Sequence, residues 1–403
     1  MGINFDSVEG SRECAGIRMD RREIAGSLGD VGTLVPLAVL LITVNRLNPS
    51  VVFGITGFVY LLSGLYYRIP MAVQPLKSFS SLAIALGLGA SVIAAGSIVM
   101  GVALLILGLS GAADWIAQAI PKSLVRGIQL GVGLILIRVG LGFCAAPLAG
   151  VPGWASLALA GGTAGILFFF IDSKRYPAGL LAVAGGLLAG LFLFGIPALS
   201  FGPVLPLIRF PKESDFWTAS ILLVLPQIPL TLANSITATH DVARQYFGEG
   251  ARKVTGRALT MGLGFANLFA GMVGGMPLCH GSGGITAHYR FGARTGGAGV
   301  FLGSFLIALA LLFGPAIGGF CGTIPRPVLG TLMAYVGISH CLLIRDVRGG
   351  WNWATVLATG VVGGVMNHNA YGLGAGIIVL TAGWFVQASP SIWVKVGMTK
   401  KFN

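Results

Sequence analysis

The sequence has 403 residues, of which 55% are hydrophobic and only 10% are charged, whereas soluble domains carry roughly 25% charged residues. A soluble core of this length cannot bury so much apolar surface, so the composition indicates a protein of the lipid bilayer. The net charge of +13 does not indicate a nucleic-acid partner, because the basic residues lie in short loops between apolar segments and form no basic stripe.

The chain opens with residues 1–22, which lack the basic start and cleavage site of a signal peptide and are expected to be cytoplasmic. Residues 201–215 are predicted to form an outer linker, and residues 391–403 a cytoplasmic tail. Between these lie fourteen apolar segments, which predict an all-α polytopic protein of the plasma (inner) membrane. The segments, in chain order, are 24–45, 51–67, 71–90, 91–110, 122–142, 153–171, 178–198, 216–237, 254–275, 277–292, 297–315, 325–343, 350–367 and 370–388.

The basic residues favour fourteen segments with both termini in the cytoplasm. They concentrate in alternate loops, such as those at 122–126, 174–175, 252–257 and 345–348. Merging two segments would move every later loop to the other side and remove this positive-inside bias.

Three short sequences recur in the same order in the two halves of the chain. The similar pairs are Val35-Pro36-Leu37 with Ile228-Pro229-Leu230, Val73-Gln74-Pro75-Leu76 with Gly275-Met276-Pro277-Leu278, and Ile120-Pro121-Lys122 with Ile324-Pro325-Arg326. Each pair joins a segment to the one seven places later. Because seven is odd, the halves 23–200 and 216–390 would have opposite topologies, and such 7+7 inverted repeats are typical of secondary transporters.

Segments three and ten are predicted to be half-helices that follow short extended stretches. Prolines favour extended chain at 70–75, so the helix of segment three would run over about 76–89 and be too short to cross the bilayer. In segment ten, residues 274–277 would be extended and the helix would start at Cys279. With inverted topology the two helix N-termini would face each other and form an anion site.

Polar side chains near these helix starts are the candidate ligands. Lys77 could balance a bound anion, or it could form a structural ion pair with Asp30. Gln227, Thr231 and Asn234 form one polar stripe on segment eight, which either lines the site or bonds a neighbouring helix. The predicted substrate-binding residues are Thr33, Gln74, Lys77, Ser78, Gln227, Thr231, Asn234, Cys279, His280, Gly281, Ser282, Gly283 and Gly284.

An anion with two charges that enters a negative interior works against the membrane potential, at a cost of about 4.6 kcal/mol per 100 mV. Coupling to protons would offset this cost; another co-ion or exchange for an internal anion are the alternatives. The candidate proton carriers are Asp30, His280 and His288, although His280 could be a neutral donor and Asp30 could pair with Lys77. No cofactor or metal site is predicted, because the cysteines do not show metal-ligand spacing.

These motifs resemble those of the molybdate transporter family, within the sulfate-permease-like group. The resemblance rests on GDVGT at 29–33, VQPLKS at 73–78, GMPLCHGSGG at 275–284 and YRFGARTG at 289–296. It implies a core domain of segments 1–4 and 8–11, and a gate domain of segments 5–7 and 12–14. It also implies a tetrahedral oxyanion as substrate, chiefly molybdate, with sulfate or tungstate as analogues. Sulfate permeases usually add a cytoplasmic domain after the last segment, which is not expected here because the sequence ends at Asn403.

Segments five and twelve open with the same Ile-Pro-basic pattern and are interpreted as equivalent gate helices. Motion of the core against the gate would give alternating access, and the gate is the expected surface for a homodimer. The main rival is a proton-coupled nucleobase permease, which would hold its substrate with carboxylates in segments eight and ten; here segment eight has none before Asp241 and segment ten has none. A sulfate transporter, an anion exchanger and a channel are further alternatives. An enzyme is not expected, because no nucleophile–base pair is present.

Overall fold

The structure is a computed structural model that describes residues 17–148, 151–171, 173, 176–205 and 210–395. Parts of the predicted terminal segments and of the outer linker lie outside the described residues, as do Lys174 and Arg175 of the predicted cytoplasmic side. The described chain is mostly helical, as the sequence predicted.

The first half contains nine helices and one short strand among the described residues. They are α1 (Arg21–Ser27), α2 (Val31–Thr43), α3 (Pro49–Tyr67), β1 (Gln74–Pro75), α4 (Lys77–Ala85), α5 (Ala90–Ser110), α6 (Ala112–Ala119), α7 (Lys122–Cys144), α8 (Gly153–Phe170) and α9 (Ala178–Phe194). Of these, α6 is a short helix that the sequence analysis did not predict.

The second half begins with a long helix that changes its winding twice. Its α-helical parts are α10 (Glu213–Ala219), α11 (Leu225–Leu230) and α12 (Ala238–Phe247), joined by π-helical turns at Ser220–Val224 and Thr231–Thr237. The remaining α-helices and strand are α13 (Gly256–Met272), β2 (Leu278–Cys279), α14 (Ser282–Arg290), α15 (Gly297–Thr323), α16 (Arg326–Cys341), α17 (Gly350–Val365) and α18 (Asn369–Lys395). Short 3-10 helices follow α12 at Gly248–Ala251 and α16 at Leu342–Asp346.

Every predicted apolar segment coincides with a helical element, but the number of membrane spans is a separate question. Within the described residues, eight helices are long and apolar enough to cross a bilayer, or nine if α1 and α2, which meet at 42°, form one span. The half-helices α4 and α14 have nine residues each, and α17 has 16. The count of fourteen therefore stays a prediction, whereas an integral membrane protein is supported.

Four long helices pack in two pairs, and the predicted repeat relates each helix of one pair to a helix of the other pair. Helix α3 (segment two) packs along α15 (segment eleven), and α5 (segment four) packs along α13 (segment nine). Segment nine comes seven places after segment two, and segment eleven comes seven places after segment four. Helices α7 and α16 cross each other closely at Gly140 and Gly330, where a Cβ on either glycine would come within 2.5 Å of the other's carbonyl oxygen. Small residues allow such close helix contacts in membranes. This is the packing that an inverted repeat would produce.

Candidate functional site

The two half-helices begin next to each other because the stretches before them pair as strands. Strands β1 and β2 are antiparallel, with Gln74 opposite Cys279 and Pro75 opposite Leu278. The Leu76 N–H donates to the Pro277 carbonyl at 3.0 Å, which extends the pairing by one bond. Helices α4 and α14 therefore start close together, as the prolines at 75 and 277 predicted.

A buried asparagine on α13 holds the second strand in place. The Asn267 side chain accepts a hydrogen bond from the Leu278 N–H at 2.9 Å and donates to the Leu278 carbonyl at 2.8 Å. It replaces the neighbour that an isolated two-residue strand lacks on its outer edge. The sequence analysis did not identify this residue, because a single Asn in an apolar segment has many possible partners.

Helix α4 is shorter than predicted, since it ends at Ala85 and not near residue 89. Gly87 has a positive φ of 60°, a conformation that favours glycine and stops the helix. The Asn45 side chain then donates to the carbonyls of Ala83 (2.7 Å) and Leu88 (2.8 Å). Nine residues give a helix of roughly 13 Å.

Helix α14 begins at Ser282, three residues after the predicted start at Cys279, because the extended chain continues through Gly281. Side chains alternate sides along extended chain. Cys279 accordingly faces the cavity described below, and the next side chain, His280, faces away from it.

The N-termini of both half-helices line one cavity of about 1030 Å³. Helices α2, α4, α11, α12 and α14, the second π-helical turn, α7, α16 and the start of α9 all contribute lining residues. Eight of the thirteen predicted ligands line it: Thr33, Lys77, Ser78, Gln227, Asn234, Cys279, Ser282 and Gly283.

Four backbone N–H groups at these helix starts have no acceptor among the described residues. They belong to Lys77 and Ser78 on α4 and to Ser282 and Gly283 on α14, whereas the following N–H groups of α14 already bond to the Gly281 carbonyl. Free N–H groups and the positive end of a helix dipole favour a bound anion. The Ser78 hydroxyl is buried without a hydrogen-bond partner in the described chain and is a further donor.

Lys77 is half-buried at the first position of α4, and its ammonium forms no hydrogen bond or ion pair with another described residue. Asp30 is not its partner. The Asp30 carboxylate instead accepts hydrogen bonds from the Tyr60 hydroxyl at 2.9 Å and from the Gln74 amide. Of the two interpretations left open by the sequence, the described contacts favour a counter-charge for an anion.

The polar stripe on segment eight performs both roles that the sequence allowed. The Gln227 amide oxygen lines the cavity and accepts from the Phe79 N–H at 2.8 Å, so it satisfies the third N–H of α4. Its amide nitrogen donates to the Thr231 hydroxyl at 3.0 Å, which places Thr231 beside the cavity lining and not in it. Asn234 lines the cavity and accepts from the Ser282 hydroxyl at 3.1 Å.

The winding of this helix explains why a regular stripe does not result. Pro229 removes one backbone donor, and a π-helical turn begins at Thr231. A π turn adds a residue to the repeat and rotates the following side chains. Single π turns are frequent at functional sites.

Four further predicted ligands do not reach the cavity. Gln74 is buried against Asp30 on the far side of α14, and a Cβ at Gly281 or Gly284 would contact the Gln74 side chain at 2.7 Å. These glycines therefore permit close packing of α14 on that side. The His280 ring bonds the Ala72 carbonyl through Nδ1 at 2.8 Å and lines a separate groove between α3 and α13.

The three candidate proton carriers lie behind the half-helices. Asp30 bonds Tyr60, whose ring contacts the His288 ring edge-on at 6.2 Å between centroids. His288 bonds the Gly26 carbonyl through Nδ1, and its Nε2 is buried without a partner among the described residues. The His280 ring packs against Tyr67. The structure brings Asp30 and His288 together through Tyr60, and it separates them from the cavity lining.

Helix α16 contributes cavity residues that the sequence analysis missed, namely Leu332, Tyr335, Val336, Ser339 and His340. A usable signal was present, because Thr331, Tyr335 and Ser339 follow each other at intervals of four on an apolar segment. At the cavity mouth, Lys122 and Arg126 of α7 both pair with Asp346, at 2.7 and 2.6 Å.

Comparison with known proteins gives consistent results at three levels. A sequence profile described as molybdate transporter of MFS superfamily matches residues 22–136 and 219–339. Molybdate transporter 2 of Arabidopsis thaliana is 28% identical over 89% of this chain and 86% of its own length. Molybdate transporter 1 of Chlamydomonas reinhardtii is 29% identical over 89% of this chain and 91% of its own length.

The fold is similar to that of two solved membrane transporters. The transmembrane domain of a cyanobacterium bicarbonate transporter, BicA, aligns with a TM-score of 0.64 and 17% identity over 89% of this chain and 97% of that chain. The murine Solute Carrier 26 family member A9 anion transporter, in its inward-facing state, aligns with a TM-score of 0.68 and 15% identity over 91% and 68% of the two chains. These likenesses establish a shared fold.

Proposed function

The chain belongs to the molybdate transporter family, and from this premise we propose that it is a secondary active importer of a tetrahedral oxyanion, chiefly molybdate. The observation that carries the proposal is the convergence of two free half-helix N-termini and the Lys77 ammonium on one cavity. Four N–H groups, the Ser78 hydroxyl and one positive charge are donors suited to an oxyanion.

The distribution of carboxylates supports an anion over a nucleobase. Among the described residues that line the cavity, Asp241 is the single carboxylate, and it lies exposed on α12. Asp30 is buried behind α14 and Asp346 is paired with two basic residues. A heterocyclic amide would need carboxylate acceptors at the helix starts, whereas an anion would be repelled by them.

The cavity also supports a division into two domains that move against each other. Its lining residues come from segments one, three, eight and ten of the proposed core and from segments five, seven and twelve of the proposed gate. It extends to Lys122, Arg126 and Leu343, on the side that the charge distribution assigns to the cytoplasm. We infer an inward-facing conformation, in which the substrate would leave the half-helices toward the cytoplasm when the core moves relative to the gate.

Import of a dianion needs an energy source, and protons are the simplest one. Two protons per dianion would cancel the transported charge and the cost of about 4.6 kcal/mol per 100 mV. Asp30, with Tyr60 and His288 beside it, is a buried carboxyl on the proposed core that could carry one of them. The cytoplasmic termini, the plasma membrane and a homodimer through the gate belong to the same proposal.

The test is uptake of labelled molybdate into liposomes that contain the purified protein. We expect saturable uptake that tungstate and sulfate inhibit and uracil does not, with accumulation under an imposed inward proton gradient. Inhibition by uracil would indicate the nucleobase permease. Uptake that ignores the proton gradient but needs internal sulfate would indicate anion exchange, and non-saturable flux without accumulation would indicate a channel.

A further inference from the structure

His340 of the proposed gate lines the cavity and has no role in the mechanism described so far. His340 lies in the last turn of α16, is only 6% exposed and lines the cavity together with Lys77. Its Nδ1 is buried without a hydrogen-bond partner among the described residues. Its Nε2 also forms no hydrogen bond with a described residue. A buried polar group without a partner is unfavourable, so a donor or acceptor is missing from this position.

The other described histidines do not line this cavity. His280 and His288 each bond a backbone carbonyl, of Ala72 and Gly26 respectively, and neither lines this cavity. His240 bonds the Val254 carbonyl. Among the described histidines, His340 is the one whose ring faces the proposed substrate.

The charges around His340 determine when its ring can be protonated. The charged and titratable groups on the elements around it are Asp30 before α2, Lys77 on α4, Lys122, Arg126, Arg138 and Cys144 on α7, Tyr176 before α9, Asp241 on α12, Cys279 on β2, and Tyr335, Cys341, Arg345 and Asp346 on or after α16. Lys122 and Arg126 are neutralised in part by Asp346. Lys77 lines the same cavity as His340, and its ammonium has no carboxylate partner among the described residues.

An empty cavity therefore disfavours a second positive charge beside Lys77, although the negative end of α16 favours one. A bound dianion reverses the balance, because it attracts both cations. We propose that His340 is the oxyanion ligand supplied by the gate, opposite Lys77, and that it takes up a proton as the dianion binds. This inference rests on the proposed function and names a further ligand of the same site.

The proton balance is simple. In the empty site His340 is a neutral imidazole; on binding, one proton from solvent joins the free ring nitrogen, and the imidazolium donates a hydrogen bond to an oxyanion oxygen. Release of the anion returns the proton to solvent. Binding should therefore become tighter as pH falls, because the form with the added proton is the one that binds.

The experiment is isothermal titration calorimetry of molybdate into the detergent-solubilised full chain, in two non-phosphate buffers of different ionisation enthalpy at about pH 7. The difference in apparent enthalpy between the buffers gives the number of protons taken up. For the wild type we expect net uptake of up to one proton per anion. His340→Gln, which keeps a neutral donor, should take up fewer protons per anion than the wild type and should bind about tenfold to a hundredfold more weakly at low pH.

His368→Gln is the matched control. His368 stacks on Tyr371 between α17 and α18, outside the cavity, so this variant should keep wild-type proton uptake and affinity. His340→Ala, tested for monodispersity beside His340→Gln, shows whether loss of binding follows loss of the donor or misfolding.

Two results would overturn the proposal. Wild-type binding without proton uptake would exclude it, and so would His340→Gln with the wild-type affinity and proton uptake. A wild type that binds none of molybdate, tungstate and sulfate would reject the proposed function itself, which separates that failure from a failure of the His340 assignment.

Discussion

Replacing Gln227 with glutamate should abolish oxyanion binding while it leaves the fold intact. The Gln227 amide oxygen accepts the Phe79 N–H at 2.8 Å, and a glutamate of the same length can keep this bond. The Thr231 hydroxyl, which now accepts from the amide nitrogen, can rotate and donate to the carboxylate. A negative charge at a helix N-terminus stabilises the helix by about 0.3–1 kcal/mol, so folding should not suffer.

The loss of binding can be estimated from the geometry of α4. An anion that accepts from the N–H groups of Lys77 or Ser78 occupies the same turn as the Phe79 N–H, so its centre would lie roughly 6 Å from the new carboxylate. At an effective dielectric constant of about 20, a dianion and a single charge at that distance repel by about 5 kcal/mol. Even if Lys77 and water halve this energy, the affinity falls about a hundredfold.

The assay compares molybdate binding and thermal unfolding for Gln227→Glu and for Gln227→Leu. The leucine variant keeps the volume but leaves the Phe79 N–H buried without an acceptor, which costs about 1–3 kcal/mol of stability. We expect a stable glutamate variant that does not bind and a less stable leucine variant that binds. A glutamate variant with wild-type affinity would refute the placement of the anion at the start of α4.

Three further changes test other parts of the mechanism. Lys77→Ala should reduce affinity at least tenfold in a correctly inserted protein, and Lys77→Arg should recover little, because a planar guanidinium does not replace a compact ammonium; wild-type binding by the alanine variant would show that the lysine is structural. Asp30→Asn should remove proton-driven accumulation in liposomes while binding at low pH persists; unchanged accumulation would exclude Asp30 as a carrier. A thiol-reactive cross-linker between cysteines at Ala238 on α12 of the proposed core and Ser339 on α16 of the proposed gate, which both line the cavity, should stop transport but not binding; full transport by the cross-linked protein would rule out motion between core and gate.

The sequence predicted the elements of this fold well because their signals are local. Hydropathy identifies each apolar run, and proline excludes the helical conformation in the residue before it. The breaks at Pro75 and Pro277, and the convergence of the helices that follow, came from these two rules and the inverted repeat. The free backbone N–H groups of the site could be predicted from the helix starts alone, without knowledge of side-chain directions.

The directions of side chains were harder to predict, because they depend on the exact helix start. Placing the start of α14 at Cys279 put His280 into the first turn, whereas the observed start at Ser282 leaves both residues in extended chain. Alternation then turns Cys279 to the cavity and His280 to the opposite groove. A shift of three residues changed the assignment of the most prominent titratable candidate. The π turn at Thr231 had a similar effect on segment eight.

The two halves of the site contribute unequally, and this asymmetry suits a transporter. In the repeat, the position that corresponds to Lys77 is Cys279, and it lies in the strand pair and not in the helix. Helix α14 offers instead its backbone at Ser282 and Gly283, and a Cβ added at Gly283 would meet nothing within 4 Å. Two fixed lysines would hold a dianion strongly and slow its release, and a transport site must bind weakly enough to let its substrate leave. A histidine on the gate that is charged only while the anion is present would supply the second cation without holding the released anion. The proposed combination of the Lys77 charge, free N–H groups and one titratable ring therefore fits binding that can be reversed on each side of the membrane.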